Sequence, residues 1–381
     1  MIRRLLFLFF LLFVAVPAWA ADAPPAKHTL DSAILGEQRT VTVHLPQSYA
    51  WAEDRRYPIL YMLDGQTHAV HGIGAIAFLA SQGQIPEMIV VAIDSKVRIR
   101  DFTQTDWPEA WIGGGGAGKF ANFVEKELIP QVERAYRGNG YRILYGHSAS
   151  GQFALHMLAT RPTLFNATLA MSPSLDWDRQ LPIREIEAAV AKPMPAARFV
   201  YFAYSDDRGS ALADDERLVR ALTTPGNPNL RAAVSSYPNE RHSALPLVAQ
   251  VEGLRKLYEG YELPESAPTD LASVQAHYDA LGKLLGTPIA IPEPVLNDLG
   301  FRALDKDVAQ ATALFERATK ENPNSPNAWD SLADAHAKAE RWMQALDAEQ
   351  RALDLATRFA IGNADYYRGQ IEKYRAKLAK P

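Results

Sequence analysis

The chain has 381 residues, with 40 Lys+Arg against 44 Asp+Glu, nine histidines and no cysteine. Charge is close to balance and no basic stripe runs along the chain, which argues against nucleic acid as a partner. The lack of thiols excludes disulfides, thiolate metal sites, a cysteine nucleophile and a lipidated cysteine.

Arg3 and Arg4 precede an apolar run from Leu5 to Val16, which Pro17 breaks before Ala18-Trp19-Ala20. A basic start, a short apolar stretch and a small-x-small site together predict a signal peptide over residues 1–20, cleaved before Ala21. The alternative is an uncleaved anchor, but the run is well short of the roughly 20 residues that a spanning helix needs. No later stretch approaches that length. The expectation is an exported protein, periplasmic or secreted from a bacterium, with no stable membrane insertion after cleavage. Residues 21–28 read as an Ala/Pro linker.

Thr40 to Leu45 alternates apolar and polar residues, as a half-buried strand does. Four largely apolar runs follow: Tyr57–Leu63, Met88–Ile93, Tyr141–Tyr145 and Arg198–Tyr204. Continuous apolar runs suit strands covered on both faces. Helical patterns lie between them, over Gly118–Tyr136, Gly151–Thr160 and Ala211–Leu222. Strands alternating with helices predict an α/β domain with a mostly parallel sheet over residues 29–262. Chemistry in such sheets gathers at the carboxyl ends of the strands, where Asp64, Ser148, Asp206 and Asp207 fall.

Prolines at 264, 268, 288, 292 and 294 punctuate a connector, residues 263–294. Residues 295–381 are Ala-rich and helical, with a period near 34: Ala311 and Ala345, Ala318 and Ala352. Small residues at that spacing allow two helices to cross closely. The segment resembles two degenerate tetratricopeptide repeats closed by a capping helix, with His336 and Glu349 standing where aromatics are usual. So short an array buries little alone, so it is expected to pack on the α/β domain, and a protein contact through it is a further expectation.

The centre of the sequence is Gly146-His147-Ser148-Ala149-Ser150-Gly151, between a strand and a helix. Small residues two positions either side of a serine let the strand and helix close together while the hydroxyl stays exposed. Only Ser148 meets this requirement on both sides, because Ser150 has Gln152 after it. An acid after the nucleophile and a histidine last complete the expected order. Asp207, with Asp206 as the alternative, follows the next clear apolar strand. Among the nine histidines, His242 alone combines the right order with a polar loop, Asn239 to Ser243. It would act as general base toward Ser148 and then as acid toward the leaving alcohol. The oxyanion donors expected are the N–H groups of Ala149 and Gln66. Arg98, Arg100 and Trp107 are candidate lining residues, against a structural ion pair for the arginines and core packing for the tryptophan.

Together these segments resemble the putative-esterase family of α/β-hydrolases, which includes enterochelin-type siderophore esterases, feruloyl esterases and mycolyltransferases. The resemblance spans about Thr29 to Tyr261. It is carried by Tyr57–Gly65, Arg98-x-Arg100-Asp101-Phe102-Thr103, Gly113–Arg137, the elbow, Ser172-Pro173-Ser174-Leu175 and Glu240-x-His242-Ser243. Departures are Gln104 where Pro is frequent and Asp176 where an aromatic often follows Ser-Pro-Ser-Leu. The resemblance implies an α/β-hydrolase fold and hydrolysis of a small carboxylic ester, a siderophore trilactone among the options, through an acyl-enzyme and without metal or organic cofactor. An acyltransferase with the same triad, or a weak hydrolase scaffold whose repeats bind a protein, are the other readings.

Overall fold

The computed structural model describes residues 25–109, 113–205, 212–224, 227–264 and 270–379. The expected signal peptide and both acid candidates, Asp206 and Asp207, lie outside the described residues.

One eight-stranded sheet organises the α/β region, in the order β1-β2-β4-β3-β5-β6-β7-β8. These strands are β1 Ala26–Ser32, β2 Glu37–His44, β3 Tyr57–Leu63, β4 Ile89–Ile93, β5 Gly138–His147, β6 Ala167–Met171, β7 Arg198–Tyr204 and β8 Leu230–Ser236. The β1–β2 and β2–β4 pairs are antiparallel, and every other pair is parallel. Every residue of β3, β4 and β6 is buried, as their uninterrupted apolar composition requires, while β2 alternates. Successive side chains point to opposite faces. Leu60 and Met62 therefore join a core beneath α1 (Gly65–Ser81) and α8 (Leu245–Leu257), and Ile59, Tyr61 and Leu63 join another on the far face.

The far face is covered by α2 (Arg98–Phe102), α3 (Ala117–Phe123), α4 (Ile129–Ala135), α5 (Ala149–Thr160), α6 (Trp177–Val190) and α7 (Leu212–Thr223). The predicted helix over Gly118–Tyr136 is present, and its expected apolar face is buried: Phe120, Phe123, Val124, Leu128 and Val132. A π-helical turn at Val124–Leu128 separates α3 from α4. Pro130, just beyond, has no N–H to donate back into the helix, and the backbone widens ahead of it.

Six helices follow: α9 Leu271–Leu285, α10 Glu293–Leu304, α11 Val308–Glu321, α12 Pro326–Lys338, α13 Trp342–Phe359 and α14 Ala364–Leu378. The stretch expected as a connector thus contains a full helix, α9. Side chains of Asp270, Asp307, Ser325 and Asn363 accept from backbone N–H groups at the starts of α9, α11, α12 and α14. The periodic alanines, Ala311, Ala318, Ala345 and Ala352, are fully buried. These helices pack on the α/β region as expected. Tyr278, Leu281, Leu296 and Leu314 extend the core that contains Leu60 and Tyr258. Asn322 accepts from Arg55, and Asn324 donates to the Trp51 carbonyl, so the helices grip the loop that leads into β3.

Candidate active site

The parallel register brings the carboxyl ends of β3, β4, β5, β6 and β7 to one edge. Ser148 sits there, between β5 and α5, with φ 59° and ψ −121°. A non-glycine residue holds that conformation only when its surroundings impose it. Here the Ser148 N–H donates to the Met171 carbonyl at 3.0 Å, and its carbonyl accepts from Ser174 N–H at 3.1 Å and Gln152 N–H at 2.9 Å. Gly146 makes the turn possible, since a Cβ at that position would lie 2.1 Å from the Ser150 carbonyl oxygen. Ala149 is the first residue of α5, so its N–H has no acceptor within the helix and stands beside the nucleophile.

Ser150, where the elbow pattern usually has glycine, is fully buried. Its Oγ accepts from His147 N–H at 2.8 Å and donates to Asp64 Oδ2 at 2.7 Å. Asp64 is itself left-handed, at φ 53°, and buried. It also accepts from Ser95 Oγ and from Arg98 Nε, the latter at 3.0 Å to both carboxylate oxygens. Arg98 Nη2 reaches on to the His147 carbonyl at 2.8 Å. Arg98 therefore pins the end of β3 to the elbow. Arg100 points elsewhere, to Glu37 at 2.6 Å and Asp101 at 2.8 Å, in a network with Arg39 that ties α2 to β2.

Gln66 is in the first turn of α1, on the same edge. Its Oε1 accepts from Ser95 N–H at 3.0 Å. Its own N–H lies against the Asp94 carboxyl, whose pKa burial raises and this amide partly lowers. Gly65 lets this turn press on β4, because a Cβ there would lie 2.8 Å from the Ala92 carbonyl carbon.

His242 stands across the edge from the elbow, in the loop between β8 and α8. Its Nδ1 is 2.8 Å from Ser172 Oγ, and its carbonyl accepts from His147 Nε2 at 2.8 Å. The His147 and His242 rings are 4.6 Å apart between centroids. His68 follows behind His147 at 5.4 Å, with its Nδ1 3.1 Å from His71 Nε2. Burial pushes His147 down to about 3 and His68 down to about 4, so both rings are neutral at physiological pH. The structure thus gathers Ser148, Ala149, Gln66, Arg98 and His242 on one edge, and leaves Arg100 in its ion network.

Trp107 stacks edge-on against Trp177 at 5.4 Å, and Trp177 Nε1 donates to Thr105 Oγ1 at 3.2 Å. Trp177 comes three residues after Ser174, whose Oγ is 3.4 Å from Ser148 Oγ. Sequence reasoning passed over Trp177, and the signal was there: the aromatic expected after Ser-Pro-Ser-Leu is displaced by one position, past Asp176. Ser172, Ser174, His68 and His147 were not singled out as site residues either, because only the folded edge brings them together.

The model for the family described as Putative esterase matches residues 32–236. The chain belongs to that family. Ferri-bacillibactin esterase BesA of Bacillus subtilis is 31% identical over 178 residues, which cover 41% of this chain and 61% of that protein. The chain therefore spans about three fifths of that curated relative's length. An IroE-like serine hydrolase from Shewanella oneidensis superposes with a TM-score of 0.69 at 27% identity, covering 78% of this chain and 99% of the other. An uncharacterised protein from Capnocytophaga ochracea, 18% identical, has a TM-score of 0.63 and covers 92% of this chain, so its fold extends into the C-terminal helices. The matched residues take in most of the sheet and the turn around Ser148, and His242 lies just beyond them. Among the described residues no helix is long and apolar enough to cross a membrane.

Proposed function

We propose that the chain is a serine esterase in which Ser148 forms an acyl-enzyme and His242 moves the proton. The observation that carries this reading is Ser148, held by three backbone hydrogen bonds in a left-handed elbow on the edge where His242 also sits. His242 takes the Ser148 proton as the hydroxyl attacks the ester carbonyl. The developing oxyanion accepts from the N–H of Ala149, and from the N–H of Gln66 once that amide turns from the Asp94 carboxyl. The proton passes to the leaving alcohol, and water repeats the sequence to release the acid. Asp207, or Asp206, is assigned as the carboxylate that stabilises the imidazolium. Arg98 and Asp64 hold the elbow and the oxyanion turn in register, and Trp107 with Trp177 offers an aromatic wall to the acyl group.

A siderophore trilactone or another small carboxylic ester is the substrate class we assign. Its support is the named activity of the BesA relative. We also assign residues 1–20 to export, residues 29–262 to the catalytic domain and the C-terminal helices to a repeat-like brace. The test is turnover of iron-loaded and iron-free siderophore trilactones, feruloyl esters and short aryl esters, with products read by mass. Release of the free acid by wild type and not by Ser148→Ala is expected. Transfer of the acyl group to an added alcohol in place of hydrolysis would favour the acyltransferase reading, and no turnover of any ester would contradict both.

A further inference from the structure

We propose that Ser172 is a positioning residue for His242, accepting the Nδ1–H of the imidazole and so presenting Nε2 to Ser148, and that the Ser172-Pro173-Ser174 loop thereby ties the base to the nucleophile. The inference rests on the proposed Ser148–His242 chemistry. Ser172 Oγ lies 2.8 Å from His242 Nδ1, and Ser172 is fully buried. Its backbone is left-handed, at φ 40°, and its N–H donates to the Ala203 carbonyl at 2.6 Å, so β7 sets where the hydroxyl points. A serine in that conformation is strained, and glycine would relieve it. What serine adds is the hydroxyl.

Two residues on, Ser174 N–H donates to the Ser148 carbonyl at 3.1 Å, and the two Oγ atoms are 3.4 Å apart. One rigid tripeptide therefore touches both reacting partners. Its entry is fixed as well, because Ser148 N–H donates to Met171 O, the last carbonyl of β6. A neutral imidazole carries one proton, and with the Ser172 hydroxyl accepting at Nδ1 it is Nε2 that holds the free lone pair. The same acceptor favours the imidazolium once Nε2 has taken the serine proton. Ser172 takes the Nδ1–H, and the carboxylate of the triad acts on the imidazolium through its charge.

The test compares wild type with Ser172→Ala and Ser172→Gly, the second of which suits the left-handed backbone and guards against a folding defect. In ¹⁵N-histidine-labelled protein, with His242→Gln identifying the resonances, the neutral ring of wild type should show Nδ1 protonated and Nε2 unprotonated. Both variants should lower kcat about tenfold or more with little change in KM, and should move the acidic limb of the kcat/KM profile to lower pH. A neutral His242 protonated at Nε2, or variants with wild-type kcat and pH profile, would overturn the assignment. Ser148→Ala is assayed in parallel. If it keeps wild-type turnover, the underlying esterase reading fails; if it is inactive while the Ser172 variants behave as wild type, only this inference fails.

Discussion

Arg98, a candidate lining residue, also braces the site from within. Its guanidinium joins the buried Asp64 carboxylate to the His147 carbonyl, so it fixes the oxyanion turn relative to the nucleophile. Hydrogen bonds to charged groups contribute about 2 kcal/mol. Arg98→Ala should therefore lower unfolding stability by about that amount in urea titrations and depress kcat more than it raises KM. A rise in KM at constant kcat would instead mean that Arg98 touches the substrate. At this scale the sequence was most legible where the constraint is local. The elbow's steric rule identifies Ser148 from its immediate neighbours, and chain order leads to His242. Ser150 reads in the sequence only as a small residue, yet its hydroxyl joins His147 to Asp64, which lies 86 positions before it. Ser172 and Trp177 acquire their places only when β6 and β7 end side by side.

Among the elements, the strand–turn–helix of β5 and α5 depends on the absence of a side chain at one point. Gly146→Ala sets a methyl group against the Ser150 backbone, which has no rotamer to change. The expected result is loss of esterase activity with a lowered Tm, and a variant with wild-type activity would show that the elbow can relax. The strands were readable because β3, β4 and β7 are apolar on both faces, whereas β8 is a half-exposed edge with a mixed sequence and gives no such signal. A second element-level case is α13. Glu349 stands where the repeat pattern expects an aromatic, and the structure buries it completely among Asp330 and Asp334 of α12 and the tyrosines of α14, with Lys373 nearby. Burial, then Asp330, raises its pKa well above the ordinary carboxylate range. A raised folded-state pKa means that the folded chain binds more protons than the unfolded one above the usual glutamate range. The stability from the neutral carboxyl is full below that range and is lost as pH rises through neutrality. Thermal melts at about pH 5 and about pH 8 should show wild type losing more Tm on alkalinisation than Glu349→Gln does. Equal losses would mean that Glu349 does not titrate in this way.

At the scale of the whole molecule, the C-terminal helices meet the α/β region away from the catalytic edge. Asn322 and Asn324 hold the loop before β3, and Gly286 lies against Ala197 at the start of β7, both at the amino ends of strands. The helices therefore brace the α/β core from the amino ends of its strands, opposite the edge that carries Ser148. Tyr278 OH donates to the Tyr261 carbonyl at 2.8 Å, and Tyr258, Leu281, Leu285 and Leu296 share one buried cluster across the junction. Burying a large apolar side chain contributes roughly 1.5–3 kcal/mol, so losing several such partners rivals a typical net stability of about 5–15 kcal/mol. A chain ending after residue 262 should accumulate as insoluble protein while the full chain is soluble, and a soluble, active truncation would contradict this bracing role. The sequence announced this packing through an Ala-rich helical segment too short to stand alone, but only the fold shows which end of the sheet it covers. Ser148 as nucleophile is the claim on which the rest depends, and intact-mass spectrometry after exposure to a fluorophosphonate tests it most directly. Wild type should gain one adduct and Ser148→Ala none; an unmodified wild type, or equal labelling of the two, would contradict it.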